Sequence, residues 1–136
     1  MGRAATALCT ILLLAGAPVA DADPRADYLM HCAGCHLVDA SGVPPDVPSL
    51  AGPLGRIASS RVGRDYLARV PGAAQAPLTY EELAAVLNWL LLEYNRQSLS
   101  KDFRPLTTAE VARSRSRVLA DPVKLRKELW PDIDTY

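Results

Sequence analysis

Two cysteines three positions apart, with a histidine directly after the second, lie near the start of the chain: Cys32, Cys35 and His36 in "HCAGCH". No other feature limits the fold so strongly. Such a cluster closes a small disulfide, joins a zinc site, acts as a redox dithiol, or holds a haem through two thioethers. A dithiol of the thioredoxin kind needs a strand–helix setting in an α/β unit, and this chain carries no strand signal. Structural zinc usually draws its ligands from two well-separated pairs. Past residue 22, the only Cys and His are His31, Cys32, Cys35 and His36, crowded into six residues. A disulfide across so short a loop restrains very little chain. The haem reading uses every element, since both thiols add to the vinyl groups of one haem c and His36 is held beneath the iron as its proximal ligand.

The N-terminus reads as an export signal. Arg3 precedes an apolar run from Ala4 to Ala20 that is too short and small-sided to span a bilayer comfortably. Ala20-Asp21-Ala22 then offers a small-x-small cleavage site, with the cut expected after Ala22. The expected destination is the periplasm, with no membrane span left after cleavage. The remaining 114 residues hold 14 basic and 14 acidic side chains. That balance gives no sign of nucleic acid or of a polybasic membrane patch. It is uneven along the chain: residues 23–95 carry 5 basic and 8 acidic groups, residues 96–136 carry 9 and 6. The expected organisation is a signal over 1–22, a core domain over 23–95, and a C-terminal helical extension over 96–136 that packs on the core.

The pattern is helical throughout. The acidic residues and proline of Asp21-Ala22-Asp23-Pro24 suit a helix start just before the cysteines. Residues 37–48, with Gly42, Pro44, Pro45 and Pro48, read as loop. Short helices are expected near Leu50 to Ser59 and after Gly63, the latter ending at Pro71-Gly72. The clearest helix runs from Thr79 to about Tyr94: Thr79 and Glu82 form a capping box, and Leu83, Val86, Leu87, Leu90 and Tyr94 make one apolar stripe. In the extension, one helix is expected to be capped by Thr107 or Thr108 and another to start at Asp121-Pro122. Arg113, Arg115 and Arg117, at period two, are read as a solvated face.

Across residues 24–95 the chain resembles a class I c-type cytochrome. Tyr28 and Trp89 stand where that family keeps aromatics on its crossing first and last helices. "PSLAG", from Pro48 to Gly52, is similar to the family's Pro-x-Leu-x-Gly. The resemblance implies the all-α cytochrome c fold, with three to five helices around one covalent haem and short C-terminal helices beyond. It also implies that the Pro48 carbonyl accepts the Nδ1–H of His36 and that Leu50 lines the haem pocket. Arg56, Arg61, Arg64 and Arg69 are the candidates to pair with a haem propionate.

The chain departs from the family on the other side of the iron. Ala76-Pro77 stands where Met-Pro is expected, and no methionine follows His36. Met30 and His31 belong to the His36 side. The sixth position is therefore left open, to water or to a weak oxygen donor such as Gln75. The expected role is that of a periplasmic electron carrier, not an enzyme, working between a donor dehydrogenase and an acceptor. Its partners are other periplasmic redox proteins, a quinoprotein dehydrogenase among them. The alternative is a small-ligand sensor or weak peroxidase with open iron, disfavoured because no distal acid–base residue remains. Expressed in a haem-maturing bacterium, the chain is expected to yield a periplasmic product whose intact mass matches Asp23 as first residue plus one haem. A cytoplasmic product, or one that retains residues 1–20, would contradict this.

Overall fold

The computed structural model describes residues 23–133; the expected export signal over 1–22 lies outside the described residues. Eight α-helices follow one another: α1 Pro24–His31, α2 Ala33–His36, α3 Leu54–Ala58, α4 Arg61–Arg69, α5 Pro71–Gln75, α6 Tyr80–Tyr94, α7 Thr108–Arg115 and α8 Pro122–Leu129. A 3-10 turn, Arg96–Ser98, follows α6. Among the described residues the only β-type pairing is the isolated bridge between Val43 and Val47. The all-α fold expected from the sequence is the fold observed. No helix among the described residues is long and apolar enough to cross a membrane.

The helices begin where the sequence supplies an oxygen for their unpaired N–H groups. Asp23 accepts from the Arg25 amide at α1, Ser60 from Gly63 at α4, and Asp121 from Lys124 at α8. Thr79 and Thr107 each form a complete capping box, with Glu82 and Glu110. Each such cap contributes about 1 kcal/mol. The expected boundaries shift at two places. The helix expected from Leu50 begins only at Leu54, because Gly52 takes φ +95° and Pro53 serves as the N-cap. The helix expected after Gly63 begins earlier, at Arg61; it ends before Pro71-Gly72 as expected, and Pro71 also opens α5, at a first-turn position where no amide is needed.

The first and last helices of the core, α1 and α6, pack together. Tyr28 is fully buried, its ring 5.3 Å from that of Trp89, and Trp89 in turn meets Tyr94 edge-on at 5.5 Å. The stripe Leu83, Val86, Leu87 and Leu90 is buried as expected, and Leu91 joins it. Aromatic pairs of this kind contribute about 0.5–1.5 kcal/mol each beyond their buried area.

The extension is tied to the core chiefly by arginines. α7 packs on both α4 and α6. Arg64 grips Glu110 with Nε and Nη2, each at 2.9 Å, and also donates to the carbonyls of Arg104 and Pro105. Asp65 receives Arg69 and Arg117, each at 2.8 Å. Asn88 exchanges two hydrogen bonds with the backbone of Leu106. The reading of Arg113, Arg115 and Arg117 as a solvated face holds for Arg113, which is exposed, whereas Arg115 and Arg117 reach back to the core, because the helix ends near them and their long stems turn with the chain.

The fork from Arg64, followed by the Thr107 hydrogen bonds, holds the Glu110 carboxyl down at about 2, against an ordinary 4.5. A carboxyl lowered by folding stabilises the fold above its unfolded value and loses that contribution as pH falls through its folded value. Glu110→Gln is therefore expected to lower stability at pH 7 by about 1 kcal/mol. The difference from wild type should shrink as pH falls from about 4.5 to about 2, as measured by urea melts across that range. An unchanged midpoint at pH 7 would show that the fork holds nothing.

Candidate haem site

Cys32 interrupts the first helical stretch. It caps α1 with φ −125° and ψ −38°, and α2 then turns once, carrying Cys35 and His36. Cys32 is half-buried, Cys35 is exposed, and no disulfide joins the two. Burial above all, with the nearby Asp27 carboxylate adding, pushes the Cys32 thiol up. Among the described residues, no three of His, Cys, Asp and Glu converge to hold a metal ion, which leaves the zinc reading without a ligand set.

After His36 the chain doubles back sharply. Leu37 sits at φ 62° and ψ 166°, a region side-chain-bearing residues rarely occupy. Its carbonyl is held by the Tyr28 hydroxyl, which donates at 2.5 Å. Burial, with Cys32 and Tyr94 nearby, pushes that hydroxyl up to about 12, so it remains a donor. The Gly42 amide donates to the His36 carbonyl at 3.0 Å, and the Val43–Val47 bridge closes the loop tip. The loop thereby returns the Pro48 carbonyl to His36, with Nδ1 and the oxygen 3.0 Å apart. Gly42 makes the return possible. At φ +66° a Cβ here would lie 2.6 Å from the Val47 oxygen and 2.7 Å from the Pro48 oxygen.

With Nδ1 engaged, the other imidazole nitrogen, Nε2, keeps its lone pair for a metal. Burial depresses the basicity of His36, while the Pro48 carbonyl works the other way and the charge of Arg126 lowers it further. Two thiols and one oriented imidazole on a single helical turn are the donor set a covalent haem requires. Leu50, half-buried against the core, has its carbonyl bonded by the Asn95 amide at 2.8 Å. Asn95 is itself buried; it also accepts from the Leu54 amide at 3.0 Å and donates to the Leu90 carbonyl at 2.9 Å. One side chain thus pins the "PSLAG" turn to the end of α6. Nothing in the amino-acid pattern singled it out.

The segment facing the methionine question, α5 and its sequel, is also held firmly. Gln75 is exposed at the end of α5, whereas Ala76 and Leu78 are buried. Arg115 donates from Nε to the Ala74 carbonyl at 2.9 Å, and its terminal nitrogens donate to the carbonyls of Ala76 and Leu78. Its guanidinium also lies over the Tyr80 ring, 5.8 Å from the centroid. Of the four propionate candidates, Arg64 and Arg69 are committed to Glu110 and Asp65, Arg56 donates to the Asp132 carbonyl, and Arg61 is exposed.

No protein-family model matches the chain. It is 34% identical, over 130 aligned residues, to a protein named cytochrome c-552 from Thermus thermophilus, covering 82% of this chain and 87% of that one. A second Thermus thermophilus protein of the same name is 33% identical over 107 residues, covering 65% of this chain and 82% of its own. The chain therefore belongs to the c-type cytochromes, single-haem electron-carrier proteins, and its one haem c is attached covalently through the Cys32 and Cys35 pair. Residues 1–95 make up about 70% of the chain, so an alignment spanning 82% runs into the extension as well. The likeness is thus longer than the 24–95 match read from the motifs.

Gly42→Ala is expected to push the Pro48 carbonyl off Nδ1, or to force the loop open at a strained φ. Either outcome loosens the imidazole while leaving both cysteines intact. The variant should still carry haem that survives denaturation, yet lose the wild-type spectrum and bind added imidazole differently. A wild-type spectrum at unchanged stability would show that the close approach at Gly42 does not govern His36.

Proposed function

We propose that this protein is a periplasmic electron carrier that takes electrons from a donor dehydrogenase and passes them to an acceptor. In this reading His36, oriented by Pro48, would hold the iron, Leu50 would line the haem pocket, and the sixth position would be left to water. The observation that carries the proposal is the pairing of an imidazole tied at Nδ1 to Pro48 with a 74–78 segment that offers only buried Ala76 and Leu78 and an exposed Gln75. No thioether follows His36 in the chain.

The haem supplies one-electron chemistry at iron, and the protein's part is to orient, shield and tune it. Burial lowers the basicity of His36 toward protons, which favours the neutral imidazole that a metal takes as donor. The Pro48 carbonyl, by accepting its proton, strengthens that donor. Losing methionine ligation lowers the potential, since the thioether favours ferrous iron. Leu37 and Val38, directly after His36, are 41% and 70% exposed and Met30, just before the motif, is 75% exposed. Together they supply apolar surface beside the attachment site for a redox partner to cover. Both histidines of the chain, His31 and His36, flank or belong to the haem motif, so none is left as an acid–base group for peroxide cleavage.

The ferric protein is expected to be high-spin or mixed-spin, to lack the far-red band of sulfur ligation, and to bind imidazole readily. Gln75→Ala should change that spectrum only if Gln75 donates its oxygen to the iron. Peroxide turnover should be no faster than with free haem, while electrons should pass quickly from the reduced protein to a soluble one-electron acceptor. A low-spin ferric spectrum that resists imidazole would refute the open side, and rapid peroxide turnover would refute the carrier role.

A further inference from the structure

Between Arg25 and Arg56 the chain holds no lysine or arginine, while Asp27, Asp39 and Asp46 fall in that interval. This stretch carries the attachment cysteines and the loop after them. All three lysines, Lys101, Lys124 and Lys127, lie in the extension. The same loop leaves apolar surface open: Leu37, Val38 and Val43 are 41%, 70% and 54% exposed. They stand together because the Gly42 amide reaches the His36 carbonyl at 3.0 Å and the Ala40 amide reaches the Leu37 carbonyl at 3.3 Å. Those bonds fold residues 37–43 on themselves. Cys35, directly before, is exposed as well. Two carboxylates border this apolar surface. Asp39 follows Val38 and is fixed by Ser41, whose amide and hydroxyl both donate to its Oδ1, at 3.1 and 2.7 Å. Asp46 is exposed inside the turn that the Val43–Val47 bridge closes. The surface has its shape before any partner arrives, since Tyr28 holds the Leu37 carbonyl and Tyr94 the Val38 carbonyl.

We propose that Cys35, Leu37, Val38 and Val43, with Asp39 and Asp46 at their border, form the docking surface for a redox protein that presents an apolar face rimmed by lysine or arginine. This rests on the carrier reading above and names the kind of partner that reading needs. The apolar side chains supply the contact. The two carboxylates supply direction, because complementary charge at a rim speeds encounter and rejects partners of like charge. No lysine or arginine on the loop opposes a cationic partner. The basic extension, by contrast, attaches through α7 to α4 and α6. Charge divided in this way turns an incoming partner toward one face even when the net charge is near zero.

The test uses reduced holoprotein and two soluble one-electron acceptors of opposite charge: tris(phenanthroline)cobalt(III), an apolar trication, and ferricyanide, a trianion. In each case one electron leaves the protein, reducing cobalt(III) to cobalt(II) or ferricyanide to ferrocyanide, with no bond or proton exchanged. At about 0.1 M ionic strength, where screening confines a charge to about 10 Å, Asp39→Asn is expected to slow the cobalt reaction about threefold and to speed the ferricyanide reaction. Both effects should vanish near about 1 M salt, with the midpoint potential unchanged. Should Asp39→Asn disturb the loop through Ser41, Asp46→Asn takes its place. Glu128→Gln, which removes a carboxylate from the extension instead, should have a much smaller effect. An equal effect from Glu128→Gln would overturn the inference, because the rates would then follow net charge alone. A second readout needs no electron transfer. In reduced protein with carbon monoxide added, the paramagnetic tris(phenanthroline)chromium(III), of like shape and charge, should broaden the amide signals of residues 37–47 first. Broadening centred elsewhere would also overturn the docking surface. Wild-type protein that reacts slowly with both acceptors would remove the carrier reading itself.

Discussion

An imidazole can be steered only through the nitrogen that does not meet the metal, and here that nitrogen is held 3.0 Å from the Pro48 carbonyl, twelve residues away. Much of the fold exists to bring that oxygen back. Leu37 turns the chain at a left-handed φ under the hold of the Tyr28 hydroxyl. Gly42 lets backbone meet backbone. The carbonyl of Ala40, itself fully buried, receives the amides of Leu50 and Ala51. Asn95 then fastens the far end of the turn to α6. A lone hydrogen bond across a loop would contribute about 1 kcal/mol and would be outweighed by loop entropy. Set in this frame, its direction is fixed before any metal arrives.

The extension follows a different physical logic. Its contacts with the core are mainly guanidinium groups on backbone carbonyls and carboxylates: Arg64 on Glu110, Arg104 and Pro105, and Arg115 on Ala74, Ala76 and Leu78. A planar group with five donors can satisfy several carbonyls of irregular chain at once, which no apolar side chain can do. Such contacts suit segments like 74–78 and 104–106 that have no partners of their own in a helix or sheet. The buried apolar residues Leu106, Val111, Leu119 and Ile133 supply the water-excluded setting in which those bonds hold.

Some of this is legible in the sequence and some is not, for reasons that differ by residue. The cysteine pair, the "PSLAG" turn and the two Thr–Glu capping boxes each depend on residue types at fixed short spacing, so each can be read directly. The α6 stripe follows from its period. Arg115 and Asn95 escape such reading because their partners are mostly backbone atoms far along the chain, and a carbonyl carries no residue identity. Pro71-Gly72 marks the end of α4 correctly but hides the start of α5, because proline serves a helix start as well as a stop, and the extended Val70, at ψ 140°, lets it do both. The arginines at 115 and 117 look like surface charges because a period of two scatters side chains around a helix. The helix, however, ends at Arg115, and the period argument ends with it.

The grip of Arg115 on the 74–78 segment has a consequence for how the molecule answers an electron. Where a loop is tethered by its bond to a metal, each change in the metal's charge tugs on the chain, and the loop becomes a hinge driven by oxidation. Here the tether is a cation on three carbonyls and an aromatic ring, none of which alters when iron gains or loses an electron. The 74–78 segment is therefore held by contacts that do not depend on the redox state of the haem, and it keeps its shape through each electron transfer.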